Sequence, residues 1–516
     1  MGDFVQQFNL FNFDKEHKVI TKPIRLIELF SGIGAQAKAL EKLGANFEHW
    51  KTCEWAVNSI KSYNAIHIKD FNDYSKDLTK EQLIDYLDGN ISTNYNEPCN
   101  VKRQNEKWLR DVYNNCIATH NLMNIMKVKG KDLEIVDVDK YEYIMTYSFP
   151  CQDLSLAGLR QGMGTSQADG GTRSGLLWEV ERILDELEHK PQILLMENVP
   201  EVIGAGNVDH FNKWLAKLES LGYENYFQIL NAKDFNIPQN RRRCFMVSLL
   251  GEYAYDFPLK LKAKYCLKDF LEKDVPEKYF LNTKDIERIE KNIVEDDNAP
   301  CITANAMQSV NHQNCVLIKE NNNQGYKEAH DGDGVNIASR MEHQRGNVQK
   351  GSIQTLKAQM EIGVVVEDKE DENVFSELEK RLFTKDGNIN RYIGSDKVDQ
   401  FKDGQMATTT YPNGWGHGPR THDESIALNT IDRPSVKMNL RIRKLVPCET
   451  MKLMGFERCD YQAMREVGMS DSAIYHCSGD SIVTTCLMAL LGQMLPISEK
   501  ELKQKIEDYV KSIVEN

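Results

Sequence analysis

The stretch IRLIELFSGIGAQAKALEKLG, residues 24–44, decides the fold. Its opening run, Ile24 to Phe30, is mostly apolar and of strand length. It passes into a Gly32-x-Gly34-x-x-Ala37 turn and then a helical pattern that ends at Gly44. A strand feeding a helix through a glycine turn is the first βα step of a doubly wound α/β sheet. Such a turn either makes a tight connection or lets the backbone approach a ligand. The second use is favoured by Glu54, twenty residues beyond Gly34 and near the end of the next strand, where a carboxylate accepts hydrogen bonds from ribose hydroxyls. Trp55 beside it covers an adenine or fills the core.

Working outward, strands are predicted at Ile24 to Phe30, His49 to Trp55, Tyr141 to Phe149, Gln192 to Val199, Tyr223 to Asn231 and Arg242 to Leu250. Apolar residues recur at helical spacing in Gly175 to His189 and again from Phe211 to Leu221. Residues 68–140 interrupt the rhythm with charged, helix-prone sequence, an insertion decorating the sheet. From 252 to 440 Gly, Asn, Asp and His rise and helical periodicity fades, with short β-rich segments such as SIQTLKA (352–358). After 440 the α/β character returns, ending in an amphipathic helix capped by Ser498 and Glu501 and carrying Leu502, Ile506, Tyr509, Val510 and Ile513. The expected organisation is a first part of an α/β domain in 1–251, an inserted, smaller, irregular β-rich domain in 252–440, and completion of the first domain by 441–516.

The chain has 516 residues, 41% hydrophobic and 27% charged, which is ordinary for a globular protein. Its longest apolar run, Cys486 to Leu491, is far shorter than the roughly 20 residues of a membrane span. No secretory signal opens it, and its twelve cysteines fall in no Cys-x-x-Cys pair, so reduced thiols, no metal and an intracellular, cytoplasmic location are expected. A net charge of −13 is wrong for a generic nucleic-acid binder, so DNA binding needs local positive charge.

Three segments place reactive groups at the carboxyl edge of the predicted sheet. Ser148-Phe149-Pro150-Cys151-Gln152-Asp153-Leu154-Ser155 puts a thiol at the end of the third strand, either a small core residue or a nucleophile. Met196-Glu197-Asn198-Val199-Pro200 ends the fourth strand and brings an acid to the same edge. Gln239-Asn240-Arg241-Arg242-Arg243 leads into the sixth. Strand alternation sends Arg241 and Arg243 to one face, supplying positive charge. The Gly- and Ser-rich stretch 158–175, with Arg160 and Arg173 available to phosphate, reads either as a disordered surface loop or as a loop that closes over a substrate, the second favoured by its place just after Cys151.

Taken in order, these segments resemble the cytosine-C5 DNA methyltransferases. The resemblance covers nearly the whole α/β part. It rests on Phe30-Ser31-Gly32-Ile33-Gly34, Glu54-Trp55, Pro150-Cys151-Gln152, Glu197-Asn198-Val199, Gln239-x-Arg241-x-Arg243, Arg443-Lys444-Leu445 with Pro447 and Glu449, and Gly479-Asp480-Ser481-Ile482. The family commonly has Asn where this chain has Asp480. FSGIGAQ, TYSFPCQDLS, GTRSGLLWE and the long stretch before the cysteine loop are most similar to its CG-methylating mollicute branch. Specificity in the family lies in the variable domain, here 252–440, so that recognition sequence does not carry over.

The resemblance implies a Rossmann-like, S-adenosylmethionine-dependent methyltransferase domain carrying a target-recognition domain. It implies Cys151, Glu197, Arg241 and Arg243 as catalytic residues. Phe30, Ser31, Gly32, Gly34, Glu54, Trp55, Pro150, Asp480 and Ser481 would bind S-adenosylmethionine, with S-adenosylhomocysteine as product. Gln152, Ser155, Arg160, Arg173, Gln239 and Arg443 would contact double-stranded DNA. A monomer acting at the bacterial nucleoid, with a cognate restriction endonuclease, completes the expectation. The alternatives are a transfer-RNA cytosine-C5 methyltransferase, which lacks so large a recognition domain, and a catalytically silent DNA-binding protein, for which intact Cys151, Glu197, Arg241 and Arg243 have no use.

Overall fold

The computed structural model describes residues 15–149, 173–282, 285–286, 315–338, 346–367, 406–409, 420–422, 433–434 and 440–515. Pro150, Cys151, Gln152, Ser155 and Arg160, and the side chain of Arg173, lie outside the described residues. The chain divides into two compact units. One comprises 1–273, 352–360 and 445–516, the other 274–351 and 361–444.

The first unit is built on six strands: β1 (Ile24–Leu29), β2 (Phe47–Cys53), β3 (Glu142–Tyr147), β4 (Ile193–Asn198), β5 (Tyr223–Asn231) and, after the two-residue β6 (Gln239–Asn240), β7 (Arg242–Leu250). They lie in the order β2-β1-β3-β4-β7-β5. The pairs β1·β2, β1·β3 and β3·β4 are parallel, whereas β7 runs antiparallel to both β4 and β5. β1, β3 and β4 are buried along their whole length, as strands covered on both faces must be.

Alternation sorts the two faces. Ile27, Leu29, Tyr143, Met145, Tyr147, Leu194 and Met196 form one core with Val180, Ile183 and Leu184 of helix 177–186 and Phe211, Trp214 and Leu218 of helix 208–220. The opposite face is covered by α1 (Ala35–Leu43) and the apolar helix Thr484–Gly492, with the terminal helix Glu499–Glu515 packed behind through Leu502, Ile506, Tyr509, Val510 and Ile513. The stretch Asp471–Gly492 meets a membrane helix in length and composition, but 83% of its apolar 18-residue window lies inside the fold.

Two expected features differ. Residues 68–140 do not merely decorate the sheet, because helices Lys80–Leu87 and Glu106–Ala118 share a second core with Val57 and Ile60. The boundary expected at 252 falls instead between Lys273 and Asp274, and 352–360 returns to the first unit. The cause is local: Ile353–Gln354 pairs in parallel with β6. The second unit is β-rich, with a four-stranded antiparallel sheet and a hairpin that share a core of Ile318, Val335, Val348, Val365 and Ile442, and a three-stranded sheet.

Glu28 lies mid-strand on the α1 side, fully buried, where it accepts a hydrogen bond from Tyr63; His49 in turn lies 2.9 Å from the Tyr63 hydroxyl. Burial raises the Glu28 carboxyl to about 7, against the opposing hydrogen bonds from Tyr63 and the Ala37 amide. The folded state therefore holds a proton that the unfolded chain releases, and stability falls as pH rises from about 4.5 through about 7. Glu28→Gln keeps an acceptor for Tyr63 and removes this penalty. Its stability relative to the parent is expected to improve by about 3 kcal/mol between pH 5 and pH 8 in urea unfolding; a pH-independent difference would place Glu28 in a solvated site.

Candidate active site

The first part of the site is the turn after β1. Phe30 and Gly32 take left-handed φ of 59° and 54°. This aims the Gly32 amide at the Glu54 carboxylate, 2.9 Å away, while the Ala56 amide binds the other oxygen at 2.8 Å. Burial pushes the Glu54 carboxyl above its ordinary range, the two amides oppose that shift, and Asp480 adds like charge nearby. Ser31 is buried, and its Oγ meets no partner among the described residues. An orphaned hydroxyl beside an oriented carboxylate fits a polar ligand such as the nucleoside and amino-acid parts of S-adenosylmethionine. Trp55 is half-buried next to Glu54.

Gly34 does a different job from the one expected. A Cβ there would stand 2.4 Å from His67 Nε2 and 2.7 Å from Tyr63 Cε2, so this glycine is demanded by packing behind the turn, whereas a Cβ on Gly32 would meet open space.

The second part is the carboxyl end of β4. Asn198 donates through Nδ2 to the Phe149 carbonyl at 3.0 Å and accepts from the Val199 amide at 2.8 Å, which fixes the last described residue before Cys151. Glu197 pairs with Arg243, its Oε1 lying 2.9 Å from Nε, and both side chains are largely buried. Register explains the meeting. Glu197 stands opposite Phe245, so Arg243 is its diagonal neighbour on the same face.

Arg241 was expected on that face too, but the strand is broken there, between β6 and β7. Its guanidinium turns inward and donates to three backbone carbonyls, those of Leu356 (3.1 Å), Gly479 (3.1 Å) and Ser481 (2.7 Å). Arg241 is therefore a positioning residue. Gln239 is likewise buried rather than at a DNA surface, donating to the Leu453 carbonyl at 2.9 Å and accepting from the Leu356 amide at 3.1 Å. Of the basic run only Arg242 is exposed, so this segment carries less free positive charge than its spelling suggests. Arg443, in the second unit, is also buried, in a strand paired with Ile362–Glu367 and bridged by Phe280.

Asp480 ends the helix Asp471–Asp480, exposed, with Oδ2 2.9 Å from His476 Nδ1; Ser481 follows, buried. The residue that sequence reasoning missed is Asn121. Its Oδ1 accepts from the Glu54 amide and its Nδ2 donates to the Glu54 carbonyl, both at 2.9 Å. No motif announces it. Elsewhere, burial pushes the thiols of Cys116, Cys244 and Cys477 up to about 12, so they stay protonated and unreactive. In the second unit Cys315, Glu328 and His330 lie within 4.8 Å of one another, but the Lys350 ammonium already sits 2.8 Å from His330 and 2.9 Å from Asp333.

With this geometry in hand, comparison with known proteins is decisive. The profile of C-5 cytosine-specific DNA methylases matches residues 89–495. The chain belongs to that family. Among its relatives, the orphan methyltransferase M.SssI of Spiroplasma monobiae is 41% identical over 275 residues, covering 51% of this chain and 68% of that protein. The type II methyltransferase M2.ScrFI of Lactococcus lactis subsp. cremoris is 38% identical over 268 residues, covering 51% and 71%. The orphan methyltransferase M.SPRI of Bacillus phage SPR is 25% identical over 513 residues, covering 92% and 97%. The solved structure of the Entamoeba histolytica methyltransferase EhMeth aligns with a TM-score of 0.45 at 14% identity, covering 92% of this chain and 98% of that one. The chain is thus a cytosine-C5 DNA methyltransferase by family, and its α/β sheet is the Rossmann-like one of that class.

The division between Arg241 and Arg243 is testable. Arg241→Ala leaves three buried carbonyls without their donor and is expected to cost roughly 3 kcal/mol or more of stability. Arg241→Lys should rescue little of this, since one ammonium does not reproduce the guanidinium fork. Arg243→Lys, which keeps a positive charge beside Glu197 but not the guanidinium fork, should lose most methyl transfer with a much smaller change in unfolding midpoint. The reverse ranking would return Arg241 to the chemistry.

Proposed function

We propose that this enzyme transfers a methyl group from S-adenosylmethionine to carbon 5 of a flipped cytosine within a short specific sequence of double-stranded DNA, through a covalent adduct of Cys151 at carbon 6. The observation that carries the reading is the Glu197–Arg243 pair at the end of β4, beside the Asn198 bond that holds Phe149, two residues before Cys151.

Carbon 5 of cytosine is a poor nucleophile until a thiolate adds at carbon 6. The Cys151 sulfur forms the S–C6 bond, and the displaced π electrons make carbon 5 nucleophilic. Glu197 serves the proton at nitrogen 3, which makes that addition easier. Arg243 faces the base carbonyl, where its fixed charge steadies the developing anion. S-adenosylmethionine, when bound, supplies the electrophilic methyl. Ser31, the Gly32 turn, Glu54, Trp55 and Asp480 are the residues that would hold it. The proton left on carbon 5 then passes to water, the electrons return to the ring and Cys151 leaves as thiolate. None of these groups reaches carbon 6 in a stacked duplex, so the base is extruded. The enzyme works as a cytoplasmic monomer on nucleoid DNA, and the type II relatives support a paired restriction endonuclease.

Cys151→Ser should abolish methylation while S-adenosylhomocysteine still binds. Glu197→Gln should slow single-turnover transfer by roughly 10²- to 10⁴-fold. The check is base-resolution mapping of 5-methylcytosine in a methylation-free bacterial host expressing parent or variant, with DNA and RNA oligonucleotides compared in vitro. Methylation confined to one short motif and lost with Cys151→Ser is the expected result. Normal turnover by that variant would remove the mechanism, and methylation of RNA alone would reassign the substrate.

A further inference from the structure

The insertion 68–140 reaches the same pocket by two independent routes. One is through the backbone of the acid strand. Asn121 takes both the amide and the carbonyl of Glu54, Ser92 donates to the Trp55 carbonyl at 2.7 Å, and Val57 donates to the Ser92 carbonyl at 3.0 Å. The polar backbone on both sides of the Glu54 carboxylate is therefore satisfied by the insertion rather than by the sheet. Two competing pulls, Gly32 and Ala56 on the carboxylate and Asn121 on the main chain, leave Glu54 little freedom.

The other route is Tyr95. Its ring stacks on His476 with centroids 3.7 Å apart and planes 7° from parallel, and His476 in turn faces Asp480. Tyr95 holds a left-handed φ of 66°, a costly backbone for a bulky side chain, and persists there because its surroundings fix it. Its hydroxyl is buried near Asn58 and Cys477, with Glu54 and Asp480 close enough to act on its charge. Both Glu54 and Asp480 thus have a neighbour contributed by the insertion.

Resting on the reading of Ser31, Glu54 and Asp480 as the methyl-donor pocket, we infer that residues 68–140 form one wall of that pocket, Asn121 positioning Glu54 and the Tyr95–His476 stack closing the side beside Asp480. The insertion then sets donor affinity, and its residues are positioning residues that take no part in the transfer itself.

The test is calorimetric binding of S-adenosylhomocysteine to the full-length enzyme, alongside KM for S-adenosylmethionine and for DNA. Tyr95→Ala is expected to weaken S-adenosylhomocysteine about 3- to 10-fold, the range of one lost aromatic pair. KM for the donor should rise in parallel, with KM for DNA moving far less. Tyr95→Phe, which keeps the stack, should recover most of the affinity. Asn121→Asp turns a donor into an acceptor facing the Glu54 carbonyl and should weaken binding further. Lys102→Ala, an exposed change elsewhere in the insertion, is the control expected to behave as the parent. Melting temperatures identify variants that fail to fold, and if Asn121→Asp is among them Tyr95→Ala decides alone. Unchanged affinity in Tyr95→Ala, with binding lost in Glu54→Ala, overturns the wall while leaving the pocket. Unchanged affinity in Glu54→Ala overturns the pocket and the wall with it.

Discussion

The reversal of β7 is the constraint on which the site depends. A fully parallel sheet would bring only carboxyl ends of strands to the active edge. Because β7 runs antiparallel between β4 and β5, its amino end arrives there instead, carrying the basic run. Glu197 and Arg243 then meet as diagonal neighbours without either side chain having to stretch. The pair is largely buried, so each charge needs the other: an uncompensated charge at this depth is strongly destabilising, which holds the two groups in one geometry before any substrate binds.

The same reversal explains the division of labour in the basic run. Immediately before β7 the chain is paired with Ile353–Gln354, a segment more than a hundred residues downstream. That pairing ends at Asn240, and the backbone turns at Arg241 before the sheet resumes at Arg242. Gln239 and Arg241 use side-chain amide and guanidinium to hold Leu356 by its amide and its carbonyl, and Arg241 extends the grip to Gly479 and Ser481. Three stretches distant in sequence are thereby locked to one another by a few hydrogen bonds, those of Arg241 charge-assisted.

What could be read from the sequence follows from this. The strands of the first unit were most legible where runs such as IRLIEL and ILLMEN are buried on both faces, because burial writes itself directly into composition. Glu54 and Glu197 were legible because strand ends in an open α/β sheet are where ligands bind. Arg241, Gln239 and Arg443 were misread for one reason: a basic or amide side chain spells exposure unless its partner is known, and here the partners are backbone carbonyls and amides. Those carbonyls and amides have no signature in composition. Asn121 escaped notice similarly, since an asparagine bonding to backbone in a polar stretch resembles any loop asparagine. Gly34 was recognised as necessary, but its reason, the close approach of His67 and Tyr63, exists only in three dimensions.

Strand order carries the argument one step further. In the sequence β2-β1-β3-β4, Glu54 follows β2 and Glu197 closes β4, with the exits of β1 and β3 between them. The β1 exit is the turn bearing Ser31 and Gly32, and the β3 exit is Phe149, tethered by Asn198. Phe149 therefore stands at the sheet edge between two carboxylates held in opposite ways. Glu54 is satisfied by neutral backbone amides, one on each oxygen. Glu197 is satisfied by a guanidinium, which suits a group whose proton and charge must be managed during reaction. Phe149, at the exit of the strand between them, is held by Asn198 to the strand that carries Glu197, so the turn after β1, the exit of β3 and both carboxylates share one edge of the sheet.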